Sequence, residues 1–187
     1  MSRRDAPQLA FDAITIEGGL LPADWLGRVA LLQATHQDAA DYGIPKGLNL
    51  RDELGRNWRM AEAHWNDFAA ALKQNHDAHA VTMRFVTSLL RDVFGFTDLG
   101  VTSVAEIIDD RHYPLTAQGL TGHLPLVVAA HDQRLEARDP RFGDSGRQRS
   151  AFGLLQHYLN AAEPALWGIA SNGLVLRLAR DNASLTR

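Results

Sequence analysis

The chain contains no cysteine. Neither a disulfide framework nor a thiolate metal site can form, and a cytoplasmic location is expected. Lysine is nearly absent as well, with Lys46 and Lys73 the only two. Ile44 stands two residues before the first and Ala71 two before the second, so no acid-x-Lys pair exists anywhere. No Gly-x-x-x-x-Gly-Lys stretch is present, which excludes a phosphate-binding loop of that kind. No apolar run approaches the roughly 20 residues needed to cross a bilayer, and Met1-Ser-Arg-Arg-Asp5 opens without a secretion-signal stretch, so no membrane partner is expected. A net charge of -3 supplies no global attraction to nucleic acid, and any such contact has to be local.

What is present is enough apolar residue, 45% of 187, to bury one real core. Leu54, Trp58, Ala61, Trp65, Phe68 and Leu72 recur at steps of three and four, which predicts a helix from Asp52 with all six on one core-facing stripe. A second helix is predicted over 78–94, with Asp77 as N-cap, Val81, Phe85, Leu89 and Val93 in register, and Gly95 as the stop. Before these, residues 13–17 suit a short strand and 22–32 a short helix.

Three strands are expected next, over 101–108, 111–118 and 123–130, separated by Asp109-Asp110 and by a Gly-containing turn. The pattern then fails. Residues 131–149 read as a polar, mobile excursion, in which Arg134, Arg138, Arg141, Arg147 and Arg149 face Glu136, Asp139 and Asp144. Ser145 and Gly146 would let a backbone approach there. A helix capped by Ser150, carrying Leu155 and Leu159 on one face, follows. Two alternating runs around Asn172-Gly173 then predict a hairpin with a type I′ turn.

This last segment, Ser150-Ala-Phe-Gly-Leu-Leu-Gln-His-Tyr-Leu-Asn160 followed by Trp167-Gly-Ile-Ala-Ser-Asn-Gly-Leu-Val-Leu-Arg-Leu178, carries a family likeness. It extends to Ile16-Glu-Gly-Gly-Leu-Leu21, the Trp58 and Trp65 helix and the Pro125-Leu-Val-Val-Ala129 run. Together these resemble the N-terminal nuclease-like region of large restriction-modification (type IIG-like) or phage-defence DNA adenine methyltransferases. The resemblance implies an α/β (α+β) fold with a restriction-endonuclease-like core of the PD-(D/E)XK type: helix, three-stranded meander, helix, β-hairpin. Residues 1–76 would form an N-terminal arm whose long helix packs on the core, and 77–187 the nuclease-like domain. The end at Ser184-Leu-Thr-Arg187, directly after an expected strand, suits a piece of a longer protein. For the parent the resemblance implies S-adenosylmethionine, with Mg as a second candidate cofactor, and as partners DNA and downstream methyltransferase and specificity domains.

Metal-dependent phosphodiester cleavage needs two carboxylates for a hard cation and usually a lysine near the water. The expected third strand, Leu124-Pro-Leu-Val-Val-Ala-Ala130, offers no acid, and the second keeps Pro114 without its acid. A non-cleaving core that helps position DNA or organise the enzyme is therefore the first expectation, with no catalytic residue and no metal in this segment. A divergent endonuclease would have to draw on Glu106, Asp109, Asp110 and Asp132, although Asp109-Asp110 also suits a turn and Glu106 a water-facing strand position. A protein-interaction module without DNA contact is the third reading. The methylase chemistry itself is absent, since Asp139-Pro-Arg-Phe142 lacks the second proline of the base-gripping tetrapeptide. His76 and His79 lack further ligands for zinc. The DNA-binding candidates are Arg134, Arg138, Arg141, Arg147 and Arg149, whose forked guanidinium groups suit phosphate.

Overall fold

The sequence Leu124-Pro-Leu-Val-Val128 has no polar side chain, so it can be desolvated on both faces, and the fold is organised around it. In the computed structural model, which describes residues 11–181 apart from 19, 23, 75 and 145, these five residues form a strand buried along its whole length. The expected backbone approach at Ser145 and the end at 184–187 lie outside the described residues.

The helices are α1 (Trp25–Ala30), α2 (Leu50–Ala71), α3 (Ala78–Ser88), continued by a π-helical turn Leu89–Val93, and α4 (Ala151–Ala161). The strands are β1 (Gly100–Val101), β2 (Glu106–Ile108), β3 (Arg111–Tyr113), β4 (Ala117–Gly119), β5 (Leu124–Val128), β6 (Arg138–Asp144), β7 (Arg147–Ser150), β8 (Trp167–Ser171) and β9 (Leu176–Arg180). The result is a mixed α/β structure. Among the described residues no helix is long and apolar enough to cross a membrane.

By internal packing the chain forms two units, Met1–Gly55 and Arg56–Arg187, and the division falls inside α2. The expected arm, 1–76, thus runs across it, because Phe68 stacks on Phe85 at 4.3 Å between nearly parallel rings and belongs to the larger core. In the first unit, Gln37 braces the end of α1 by accepting from the Ala34 N–H and donating to the Val29 carbonyl. Asn49 accepts the Asp52 N–H at 2.9 Å, so α2 starts a turn earlier than its apolar stripe suggests. Residues 13–17 form no strand.

The larger unit is built on a five-stranded sheet in the order β1-β4-β5-β8-β9. All neighbours are antiparallel except β5 and β8, which run parallel in the register Leu126↔Ile169 to Val128↔Ser171. That ladder starts one residue past Pro125, whose missing N–H therefore costs it nothing. Strand alternation sends Leu124, Leu126, Val128 and Ile169 into one apolar cluster with Phe68, Phe85, Val86 and Leu90. Val127 and Ala170 enter the other, with Leu154, Leu155, Tyr158 and Leu159 of α4. Helices thus cover both faces of the central strands, the condition under which parallel pairing is usually found.

Local signals hold where the partner is near. Asp77 accepts the Ala80 N–H at 2.6 Å, Ser150 accepts the Gly153 N–H at 3.0 Å, and Gly95 ends its helix at φ +79°. Other expectations need correction. The strands expected at 101–108 and 111–118 each break in two, because Asp109 and Asp110 take positive φ (49° and 60°) and fold β2 and β3 into a separate hairpin. Pro114, without an N–H, then separates β3 from β4. The excursion is not all loop: residues 138–144 and 147–150 form the antiparallel pair β6–β7, anchored by the buried Phe142, while 131–137 form no strand. The α2 stripe is only partly core, for Trp58 is 66% and Trp65 44% exposed while Phe68 is buried. In the β8–β9 hairpin the central residues are Gly173 and Leu174, not Asn172 and Gly173. The Asn172 N–H reaches the Val175 carbonyl, and of the two central residues only Gly173 has positive φ, the pattern of a type II′ turn.

Gly168 on β8 marks how tightly α4 lies on the sheet. A Cβ there would stand 2.6 Å from Leu155 Cδ1 and 3.1 Å from Pro125 Cγ. Gly168→Ala is expected to lower the unfolding free energy by about 1–3 kcal/mol through overpacking. Urea denaturation checks this, and an unchanged midpoint would contradict the packing.

Candidate functional site

A cation held at this sheet would need carboxylate ligands on β4 and β5; β5 supplies only hydrocarbon side chains, and the one polar side chain of β4 is the amide of Gln118. At the end of β5 the Thr116 hydroxyl accepts the Val128 N–H at 2.9 Å. Past the strand, the His131 N–H donates to Thr82 Oγ1, and its ring lies edge-on to Phe68 at 6.2 Å between centroids. His131 Nδ1 is buried without a hydrogen bond, and Asp132 is exposed. Among the described residues no three His, Asp or Glu side chains converge as a metal site. His76 and His79 diverge, the first to Gln74 and the second to the Val128 carbonyl.

The four candidate acids are not brought together. Asp109 and Asp110 occupy the β2–β3 turn. Glu106 does not simply face water: its Oε2 accepts from Tyr158 Oη at 2.7 Å and from Gln118 Nε2 at 2.6 Å. This trio lies on the wall of an open cavity of about 630 Å³, together with Thr102, Leu115 and His123. Burial, followed by the hydrogen bond to Glu106, pushes the Tyr158 phenol well above its ordinary pKa. The phenol therefore keeps its proton at neutral pH and serves as a fixed donor.

The arginines of 134–149 separate into different roles. Asp139, 8% exposed, accepts from the Arg141 N–H at 2.8 Å, Arg141 Nε at 3.1 Å, Arg141 Nη2 at 2.9 Å and Gln133 Nε2 at 2.8 Å. The Arg141 side chain is the main reason its carboxyl sits far below the usual carboxylate range, with burial opposing. Arg141, expected to meet DNA, is thus tied to its own hairpin. Arg149 lies over the Tyr113 ring at 5.9 Å, with Nη1 buried and without a hydrogen bond. Arg134, Arg138 and Arg147 are exposed and make no ion pair among the described residues. Of the two acids two residues from Arg134, Asp132 is exposed and Glu136 is bridged by Arg177.

Sequence reasoning missed Gln118, Tyr158, Gln133 and Arg177 as partners. The Glu106–Tyr158 bond joins residues 52 apart and the Glu106–Gln118 bond residues 12 apart, with no local periodicity to announce either. Comparison of the chain with protein-family models, with curated proteins and with solved structures finds no match.

The Asp139 cluster has a pH signature. A carboxyl depressed in the folded state adds stability that is complete above its unfolded pKa, near 4, and is lost as pH falls below it. Asp139→Asn is expected to cost about 1–3 kcal/mol at pH 7, because it removes hydrogen bonds to a charged group. It should also flatten the loss of stability between about pH 5 and pH 3. Parallel acid-limb slopes for the two proteins in denaturant titrations would contradict the assignment.

Proposed function

We propose that the chain acts as a nuclease-like domain that does not cut DNA and positions it for an adenine methyltransferase of the restriction-modification or phage-defence kind. The observation that carries this reading is the order of the sheet: meander β1-β4-β5, then α4, then β8 parallel to β5. That order is the one expected of a restriction-endonuclease-like core, and its central strand has neither carboxylate nor lysine. A scaffold of that shape with a hydrocarbon centre keeps the framework of a nuclease without a cradle for Mg. S-adenosylmethionine, the methyl-transferring domain and the specificity domain belong to the parent enzyme in this reading.

Contact with DNA falls to Arg134, Arg138 and Arg147. They are exposed and form no ion pair at contact distance among the described residues, although Arg134 acts on Glu136 through its charge, and exposed guanidinium groups are the ones able to release counterions from a phosphate backbone. Arg141 is excluded by its bond to Asp139.

The test is a duplex titration at several salt concentrations. Affinity is expected to fall steeply with salt, and Arg138→Gln with Arg147→Gln should flatten the slope of log K against log salt by about two. Undetectable or salt-insensitive binding would favour a protein-interaction module. Plasmid nicking with Mg²⁺ or Mn²⁺ that disappears in Asp109→Ala or Asp132→Ala would favour a divergent endonuclease.

A further inference from the structure

The cavity beside Glu106, Gln118 and Tyr158 plays no part in the proposed contact with DNA. Its volume, about 630 Å³, falls within the range of about 300–1,000 Å³ that suits a small organic molecule. Much of its wall is hydrocarbon, supplied by Val104, Ile108, Leu115, Ala161 and Ala165. No lysine or arginine lines it, and its two acids are Glu106 and Glu163.

The side-chain donors around the cavity are already used. Tyr158 Oη donates to Glu106 Oε2 at 2.7 Å, and Gln118 Nε2 donates to the same Oε2 at 2.6 Å and to Tyr158 Oη at 3.2 Å. The Thr102 and Thr121 hydroxyls donate to the Leu115 and Leu120 carbonyls. His123 Nδ1 stands 3.0 Å from the Pro164 carbonyl. A carbonyl only accepts, so Nδ1 carries the hydrogen, and Nε2 of the neutral ring is left as an acceptor. Glu106 Oε1 and Gln118 Oε1 take no hydrogen bond among the described residues, and neither is buried away from solvent. The side chains of the wall thus keep acceptors and negative charge, with no donor to spare.

We propose that this cavity binds a small organic cation, an apolar or aromatic body carrying a protonated amino or amidine group, with Glu106 as the anchoring carboxylate. Such a group brings only donors and positive charge to a wall that offers only acceptors, and a hydrogen bond between two charged partners is the stronger kind. Tyr158 and Gln118 are positioning residues: they hold Oε2 and leave Oε1 for the ligand. The hydrocarbon wall takes the body of the molecule out of water, whereas an anion would meet two acids and no cation. None of the residues involved is assigned to DNA, so failure of either proposal leaves the other standing.

The test uses the intact chain, labelled with ¹⁵N, and three probes of similar shape at fixed pH and ionic strength: benzylamine, benzyl alcohol and benzoate. The Gln118 side-chain amide resonances report on the cavity. Saturable shifts are expected with benzylamine, at an affinity tenfold or more above that of benzyl alcohol, and none with benzoate. Glu106→Gln keeps the shape and removes the charge, and it should weaken benzylamine tenfold or more with benzyl alcohol unaltered. Tyr158→Phe releases the carboxylate, and it should weaken benzylamine roughly two- to tenfold, again with benzyl alcohol unaltered. Equal affinities for the amine and the alcohol, or a Glu106→Gln variant that keeps the preference, would overturn the site. Should Glu106→Gln fail to fold, the exposed rim decides: Val104→Lys and Glu163→Gln should each weaken benzylamine roughly two- to fivefold, and no change in either overturns the site. In a second arm the blocked peptide acetyl-Gly-Lys-Gly-amide presents the same ammonium on a protein side chain. Weaker binding than benzylamine supports a free compound, and binding as tight or tighter overturns the small-molecule assignment.

Discussion

The complete burial of β5 is the constraint on which the rest of the larger unit depends. A strand with no exposed face needs ladder partners on both edges and apolar cover on both sides, since every unpaired backbone group would be dry. β4 and β8 supply the ladders. α3 and the Phe68 end of α2 cover one face, and α4 covers the other. The parallel pairing with β8 then requires a long crossover, and that crossover contains the β6–β7 hairpin as well as α4. The polar chemistry of the chain is displaced outward by the same burial. Glu106 is carried on one satellite hairpin, and Arg138, Arg141, Arg147 and Arg149 on the other.

Electrostatically, the fold sorts like residues into unlike roles. Arg141 neutralises a nearly buried carboxylate, Arg177 bridges Glu136 and lies over the Phe152 ring at 5.0 Å, and Arg149 stacks on Tyr113. Arg134, Arg138 and Arg147 are exposed. A net charge of -3 therefore says little about the surface a phosphate would meet. What matters is which guanidinium groups have a neighbour to satisfy them.

The aromatic residues of α2 show the same separation between pattern and outcome. Trp58, Trp65 and Phe68 share one helical stripe, yet the unit closes over Phe68 alone. Trp65 touches the core edge, its ring 5.8 Å from Phe68 and 6.0 Å from Phe85, and Trp58 stays in solvent. Periodicity defines a face, but the length of the opposing layer decides how much of that face is covered.

By itself the sequence determined the features whose partners lie within a turn or two. The α2, α3 and α4 helices, the Asp77 and Ser150 caps, the Gly95 stop and the Asp109-Asp110 turn follow from local geometry, as does the unbroken apolar character of β5. The tertiary structure alone decided the rest. Arginine-rich residues 138–144 and 147–150 became paired strands because Phe142 could be buried and Asp139 could be satisfied by Arg141 and Gln133. The β8–β9 turn shifted by one residue because the sheet sets the register in which Ser171 meets Leu176. Glu106 found Tyr158, and Arg149 came to lie over Tyr113, through contacts between distant parts of the chain. Such contacts depend on how layers stack, and no spacing along the chain encodes them.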